Sequence, residues 1–330
     1  MAPQQVIRGL DVGYGNTKYI ADDRGTCRLF PSLAPRSDER HTGTAPAMQQ
    51  RKTVLVSVDE CHYEVGPDSV LFPEAPLLHR DYIETKEYRA LVCGALDAMQ
   101  VSRVDLLVTG LPVYQHQARA GQLKALLTGA HTIRKGKIVE VVEVSVVAQP
   151  VGGLVAYAHE NDSFAQAQGR VRAVIDPGLF SVDWLVTQGL LELPGHSHSI
   201  EGGVCEVLRA VACEINRAYS ESYDNVRRID EALRGVQPLM VRGTVVDIEA
   251  LRPVADTAAR QIVRRLRNHL LPIITDVEEI VLLGGGAEYF CTAVKDLFPG
   301  CGVSIATDPI YSNVRGFQLI GQILRKRRPA

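Results

Sequence analysis

The chain is poor in the features that mark several functional classes. Its seven cysteines (27, 61, 93, 205, 213, 291, 301) contain no C-x-x-C pair and are odd in number. That argues against a disulfide framework or a cysteine zinc site and fits reduced thiols in a cytoplasm. No segment approaches the roughly 18 uninterrupted apolar residues of a membrane span, and no low-complexity tract is present. No apolar stretch precedes the first strand, so no secretory leader is expected. Charge of one sign is lacking as well. With 36 basic against 38 acidic residues and a net charge of -2, a broadly basic nucleic-acid surface is not expected. What is present is 330 residues, 46% of them apolar and 22% charged, enough for two ordinary domains with real cores.

The most informative stretch is Gly9-Leu10-Asp11-Val12-Gly13-Tyr14-Gly15-Asn16-Thr17-Lys18-Tyr19-Ile20. An apolar strand runs into Asp11, two glycines and a return strand, the pattern of a hairpin. Glycine backbone admits close approach of N–H groups to an anion, and Lys18 adds a positive charge. Asp11 could hold a hydrated Mg²⁺, an ion that keeps most of its waters and takes few carboxylates. The residues by themselves fit either a phosphate-binding hairpin or an ordinary Gly/Asn hairpin.

Further along, residues 31–52 read as an exposed loop, and Thr85–Met99 and Gln117–Leu127 as helices. Lys137–Val147 reads as one β-branched strand. Gln149-Pro150-Val151-Gly152-Gly153 opens a helix, and the polar residues 160–170 read as a linker. Ala255–Ile274 is a long amphipathic helix carrying Arg260, Arg264, Arg265 and Arg267, which a solvated face explains without nucleic acid. His196 and His198 would share one side of a strand, but no third metal ligand is evident. Ser312–Lys326 is a terminal helix with a basic end.

The hairpin pattern occurs twice. Ile175-Asp176-Pro177-Gly178-Leu179-Phe180-Ser181-Val182-Asp183-Trp184-Leu185 repeats it half a chain later, a period too long for a solenoid and suited to two similar domains. Two such hairpins could clamp a triphosphate from both sides. Gly284-Gly285-Gly286 follows a third apolar strand and permits close backbone approach to a base or ribose.

Together these residues resemble the actin-like ATPases, and within them the ParM/StbA plasmid-segregation type of bacterial actin homologue. The phosphate-1 motif matches Asp11 to Lys18, connect-1 matches Gln149 to Gly153, and phosphate-2 matches Asp176 to Asp183. The adenosine motif matches Leu282 to Ala287, and connect-2 matches Tyr311-Ser312-Asn313-Val314-Arg315-Gly316-Phe317. The Asn-x-Arg-Gly-Phe form and Thr109-Gly110-Leu111-Pro112 look ParM-like. Phosphate-2 differs from the usual pattern, with Leu179 and Phe180 in place of a second Gly and a Thr, and Ser181 is left to supply a hydroxyl.

The resemblance implies an α/β, actin-like fold of two ribonuclease-H-like domains with a nucleotide cleft between them. Domain I would comprise residues 1–167 plus 310–330, and domain II residues 168–309. The C-terminal helix would pack back on the first domain. ATP (or GTP) and Mg²⁺ are the implied cofactors. Gly13, Tyr14, Gly15, Asn16, Thr17 and Lys18 would bind phosphates from one side, and Gly178, Leu179, Phe180 and Ser181 from the other. Gly284, Gly285 and Gly286 would line the adenosine, with Glu201 as a ribose or base contact. Asp11 and Asp176 would hold Mg²⁺ through water, and Gln149 would orient the attacking water. The implied function is an ATPase whose hydrolysis drives a head-to-tail filament. It would serve plasmid or DNA segregation through a small DNA-binding adaptor on a centromere-like site. A small-molecule kinase and a membrane-tethered division scaffold, the latter suggested by the basic C-terminal end, are the alternatives.

Overall fold

The computed structural model describes residues 5–37, 51–72, 78–79, 81–161, 169–220 and 222–327. The chain divides into two compact units, residues 1–163 with 311–330, and residues 164–310. The boundary expected at 167/168, most of the expected loop at 31–52 and Arg328 of the basic end lie outside the described residues.

The first unit is organised on β1 (Ile7–Val12), β2 (Asn16–Ile20) and β3 (Cys27–Pro31). There follow β4 (Val54–Val58), β5 (Cys61–Val65), α1 (Lys86–Ala98), β6 (Arg103–Val104) and β7 (Leu106–Leu111). Next come α2 (Val113–Leu127), β8 (Gly129–Arg134), β9 (Lys137–Val141), β10 (Val144–Ala148) and α3 (Gln149–Asn161). The main sheet has the order β10-β7-β1-β2-β3. β1, β2 and β3 are antiparallel, whereas β7 runs parallel to β1 and to β10. All six residues of β7 are buried, as expected of a parallel strand with both faces covered. Helix α1 starts where its pattern predicts because the Thr85 side chain accepts a hydrogen bond from the Tyr88 N–H, an ordinary N-cap.

One expected element is corrected. Lys137–Val147 is not a single strand. It breaks at Val142 and Glu143, so that β9 pairs with β8 and β6 in a small separate sheet, while β10 joins the main one. A β-branched run states that the chain is extended but not which sheet it enters, and β8, which has little apolar patterning, escaped notice.

The second unit repeats the arrangement. It contains β11 (Val171–Pro177), β12 (Ser181–Gln188), β13 (Leu191–Glu192), β14 (His198–Glu201), α4 (Val204–Tyr219) and α5 (Val226–Leu233). It continues with β15 (Met240–Val241), β16 (Thr244–Val245), α6 (Arg252–Leu270), β17 (Glu279–Leu282), α7 (Ala287–Leu297) and β18 (Gly302–Ile305). The sheet order is β13-β12-β11-β17-β18, with β14 also on β12. β11 and β12 are antiparallel, and β11, β17 and β18 are parallel. Both sheets thus consist of an antiparallel hairpin extended by two parallel strands in the same order. Trp184 is fully buried in this core, which also contains Val207, Ile262 and Phe290.

The last helix, α8 (Ser312–Arg327), belongs to the first unit and lies on α3, β1 and β7. Its glycine explains the Asn-x-Arg-Gly-Phe form without a ligand. A Cβ on Gly316 would lie 1.7 Å from the Gly152 carbonyl oxygen, so α3 and α8 cross in backbone contact. Phe317 fills the space beneath, and a Cβ on Gly110 would come within 2.5 Å of its ring. Arg315 pairs with Glu160 of α3 at 3.6 Å. Phe317, Ile320 and Leu324 pack against Leu106 and Val108, and Arg325 is held by the Asp105 carbonyl and Glu143. The apolar face a membrane tether would need is therefore spent on the core. No helix among the described residues is long and apolar enough to cross a membrane.

Gly316→Ala should destabilise the protein by at least about 2 kcal/mol, because the added methyl meets backbone that cannot move aside. Gly121→Ala, at an exposed position of α2 with no atom within 4 Å of its would-be Cβ, should gain about 0.5–1 kcal/mol from helix propensity. Calorimetric unfolding of the two variants checks the opposite signs.

Candidate functional site

Each unit carries one candidate site, a hairpin of the same construction. In the first, Asp11 pairs with Lys18 and Val12 with Thr17. The four-residue turn is closed by the Gly13 N–H donating to the Asn16 carbonyl at 3.2 Å. In the second, Asp176 pairs with Asp183 and Pro177 with Val182. The Gly178 N–H donates to the Ser181 carbonyl at 2.8 Å. The duplication read from the sequence is thus present atom for atom in the turn closure.

The carbonyls of both turns are taken up from the protein side. In the first, the Ser32 hydroxyl donates to the Gly13 carbonyl at 2.6 Å and the Ser32 N–H to the Gly15 carbonyl at 3.0 Å. Thr17, fully buried, lies 2.9 Å from the Ser32 oxygen. Since the Ser32 proton goes to Gly13, Thr17 is the donor. In the second, the start of α4 does the same work. The Val204 N–H reaches the Gly178 carbonyl and the Cys205 N–H the Leu179 carbonyl, both at 2.9 Å. The N–H groups of Gly202 and Gly203 reach the Phe180 carbonyl at 3.1 and 3.2 Å. A peptide plane whose carbonyl is fixed inward turns its N–H outward, which is how a turn becomes an anion nest.

The first hairpin also gathers the expected catalytic side chains. Asp11 is buried, and its two oxygens accept from Lys18 Nζ at 2.9 Å and Gln149 Nε2 at 2.8 Å. Gln149 arrives as the first residue of α3, against Gly110, whose would-be Cβ lies 2.9 Å from Gln149 Cγ. Tyr14 turns its ring away to stack on Tyr82 at 4.8 Å and donates its hydroxyl to the His79 carbonyl. Burial pushes the Tyr82 phenol up, so this support stays neutral. Of Tyr14 only backbone faces the turn.

The second hairpin lacks the balancing cation. The position of Lys18 is held by Asp183, which is buried and accepts from the Ser181 and Ser199 hydroxyls. Ser181 was expected to offer its hydroxyl to a phosphate; it is donated inward to Asp183 at 2.8 Å instead. Glu201 ends β14 opposite Ser181 and is exposed; the acid in the first turn of α4 is Glu206. Gly284, Gly285 and Gly286 follow β17 as expected, but the protein itself requires two of them. A Cβ on Gly284 would lie 1.9 Å from Asp176 Oδ1, and one on Gly286 would lie 2.5 Å from the Pro177 carbonyl. The glycine turn is therefore folded onto the second hairpin.

Other candidates resolve as bland. His198 lies on β14 but His196 precedes it, and His198 packs on Trp184 and His269. No group of three metal-ligating side chains is found among the described residues. On α6, Arg260 pairs with Asp296, Arg265 with Glu206, and Arg267 donates to the Leu297 carbonyl, which leaves little of a basic nucleic-acid face. Ser32, Tyr82 and Ser199 went unmarked in the sequence, because strand register and long-range contacts bring them in.

Two α/β sheets of one topology, each opened by a nest-forming hairpin, define the actin-like fold. The chain's residues 9–152 match the family model described as the N-terminal domain of actin-like proteins. Residues 174–296 match that of the archaeal actin homologue, MreB-like, C-terminal domain. Both halves of the chain thus carry domains of the actin-like superfamily. The chain is 24% identical over 335 residues to the archaeal actin homolog of Thermoplasma acidophilum, covering 95% of this chain and 98% of the relative. The homolog of Thermoplasma volcanium matches at the same identity and coverage. The crystal structure of Ta0583, an archaeal actin homolog, matches with a TM-score of 0.80 and 21% identity over 97% of this chain and all of that one. A non-polymerisable quadruple mutant of pCBH ParM matches with a TM-score of 0.78 at 16% identity over the same shares.

Ser32→Ala should cost about 1 kcal/mol of stability, the worth of one neutral hydrogen bond. It should also speed amide hydrogen exchange selectively at residues 13–17, which exchange read by mass spectrometry will show.

Proposed function

We propose that the chain binds a Mg-nucleotide through its two hairpins, hydrolyses it and uses the cycle to control a head-to-tail filament. The observation that carries this is the shared inward fixing of the turn carbonyls, which leaves each turn to meet phosphate with amide N–H groups. In support, a related archaeal actin homolog has been crystallised with ADP, at a TM-score of 0.77 and 19% identity to this chain. A ParM from Clostridium botulinum, at 0.72 and 15%, forms a 15-stranded filament.

On this reading the N–H groups of residues 14–16 and Lys18 take the terminal phosphates, and the turn from Gly178 to Ser181 contributes backbone only. The donor set suits Mg²⁺: both hairpins offer hard carboxylate oxygens, from Asp11 and Asp176, and neither offers thiol or imidazole. Bound there, the ion neutralises charge that develops on the phosphates. Gln149 already donates its amide N–H to Asp11, so its carbonyl oxygen remains to orient a water. An amide has no useful basicity, so Gln149 positions the water without taking its proton. The cellular task we assign is segregation of a plasmid or other DNA in the cytoplasm through a small DNA-binding adaptor. A ParM among the structures of the same fold supports it, as do Arg260, Arg265 and Arg267 of α6, taken up by Asp296, Glu206 and the Leu297 carbonyl, which leaves DNA contact to a partner. ATP is favoured by the ADP-bound relative; GTP is the competing nucleotide.

Right-angle light scattering with parallel phosphate release, in Mg-ATP, Mg-GTP and Mg-ADP, tests this. A nucleotide-dependent rise that decays as phosphate appears is expected; hydrolysis with flat scattering at high protein concentration would overturn the filament. Gln149→Ala should cut phosphate release about 100-fold or more with nucleotide affinity nearly unchanged. Lys18→Ala should weaken triphosphate binding by about 10–100-fold, the range for losing a charge-assisted contact.

A further inference from the structure

We infer that Arg234 is the positioning residue of the glycine turn, and that it sets how tightly the nucleoside end of the ligand is held. This rests on the nucleotide-binding reading above. Arg234 is the residue just past α5. Its Nη2 donates to the Gly285 carbonyl at 2.7 Å and its Nε to Asp230 at 2.8 Å. The guanidinium lies over the Tyr289 ring, 4.9 Å from the centroid. Tyr289, in the first turn of α7, donates its hydroxyl to Asp230 at 2.8 Å. Burial, with Asp230 adding to it, pushes this phenol up, so the donor stays protonated. Glu288 stands 3.9 Å from Nη1. One planar cation thus ties the end of α5, the middle of the glycine turn and the start of α7 together.

Gly285 is the member of the triplet whose Cβ position is not pressed against the second hairpin. Gly284 and Gly286 are pressed onto Asp176 and Pro177, and the Gly284 N–H donates to the Pro309 carbonyl. A Cβ on Gly285 would meet only ordinary contacts with Ile310, at 3.7 Å. Its carbonyl lies in the peptide plane whose Gly286 N–H donates to the Pro177 carbonyl at 3.0 Å, and Arg234 holds the opposite edge of that plane. The planar fork suits this, since it donates to two acceptors from one rigid group while stacking on an aromatic face. Lysine has a point charge and cannot make the three contacts at once. Because Arg234 acts at the glycine turn and not at either hairpin, its effect belongs to the nucleoside and not to the phosphates.

The test is a set of binding titrations on the full chain with Mg-ADP, adenosine and Mg-pyrophosphate, for wild type, Arg234→Lys and Arg234→Met. Both variants should bind ADP and adenosine about tenfold or more weakly, as for a lost charge-assisted hydrogen bond. They should bind pyrophosphate as wild type does, with Arg234→Lys no better than a partial rescue. A loss shared equally by pyrophosphate, or ADP and adenosine affinities equal to wild type, would overturn the role of Arg234. Absence of ADP binding by the wild type would overturn the nucleotide reading instead.

Discussion

A chain that reverses over four residues must find partners for the carbonyls in its turn, because a buried carbonyl left unpaired is costly. Both hairpins here meet that demand from inside the protein, one with Ser32 and the other with the first N–H groups of α4. Much else follows from it. β3 must run alongside β2 in the register that delivers Ser32 under Gly13. The segment at 202–205 must approach within hydrogen-bond distance of the second turn, so α4 starts where the hairpin ends. The two solutions use different chemistry for the same geometric end, which is why a motif search by residue type sees the two turns as less alike than they are.

The hairpins share backbone and differ in charge. Lys18 balances Asp11 in the first one, and Gln149 donates to the other oxygen of the same carboxylate. Asp183 occupies the matching position of the second and is buried under two serine hydroxyls. The departure at Leu179 and Phe180 is tolerable on this view. What the turn offers is main chain, and its carbonyls are held by α4 whatever side chains it bears. The replacement of Gly and Thr removes a hydroxyl but not the nest.

Local pattern made much of the fold legible. The β1–β2 and β11–β12 hairpins announce themselves by alternation and glycine, and their repetition half a chain apart foretold two like sheets. The encounter of Asp11, Lys18 and Gln149 was legible only through family resemblance, since α3 brings Gln149 in from another part of the chain. Ser32, Ser199 and Arg234 could not be read, because strand register or a helix end carries them to the site and neither leaves a mark in nearby sequence. Ser181, Gly284 and Gly286 show the reverse. Their residue types suit a ligand, yet Ser181 serves Asp183, and Gly284 and Gly286 serve the packing of one turn on another. The same holds for Gly316, whose motif reflects a helix crossing.

The central claim is that a hairpin of one design in each unit meets nucleotide phosphate with its amide groups. Amide hydrogen–deuterium exchange of the full chain, with and without saturating Mg-ADP, tests it directly. Protection is predicted together at residues 14–16, 178–181 and 284–286, rising in parallel with nucleotide concentration. Protection confined to one hairpin, with the other unchanged at saturation, would contradict the account.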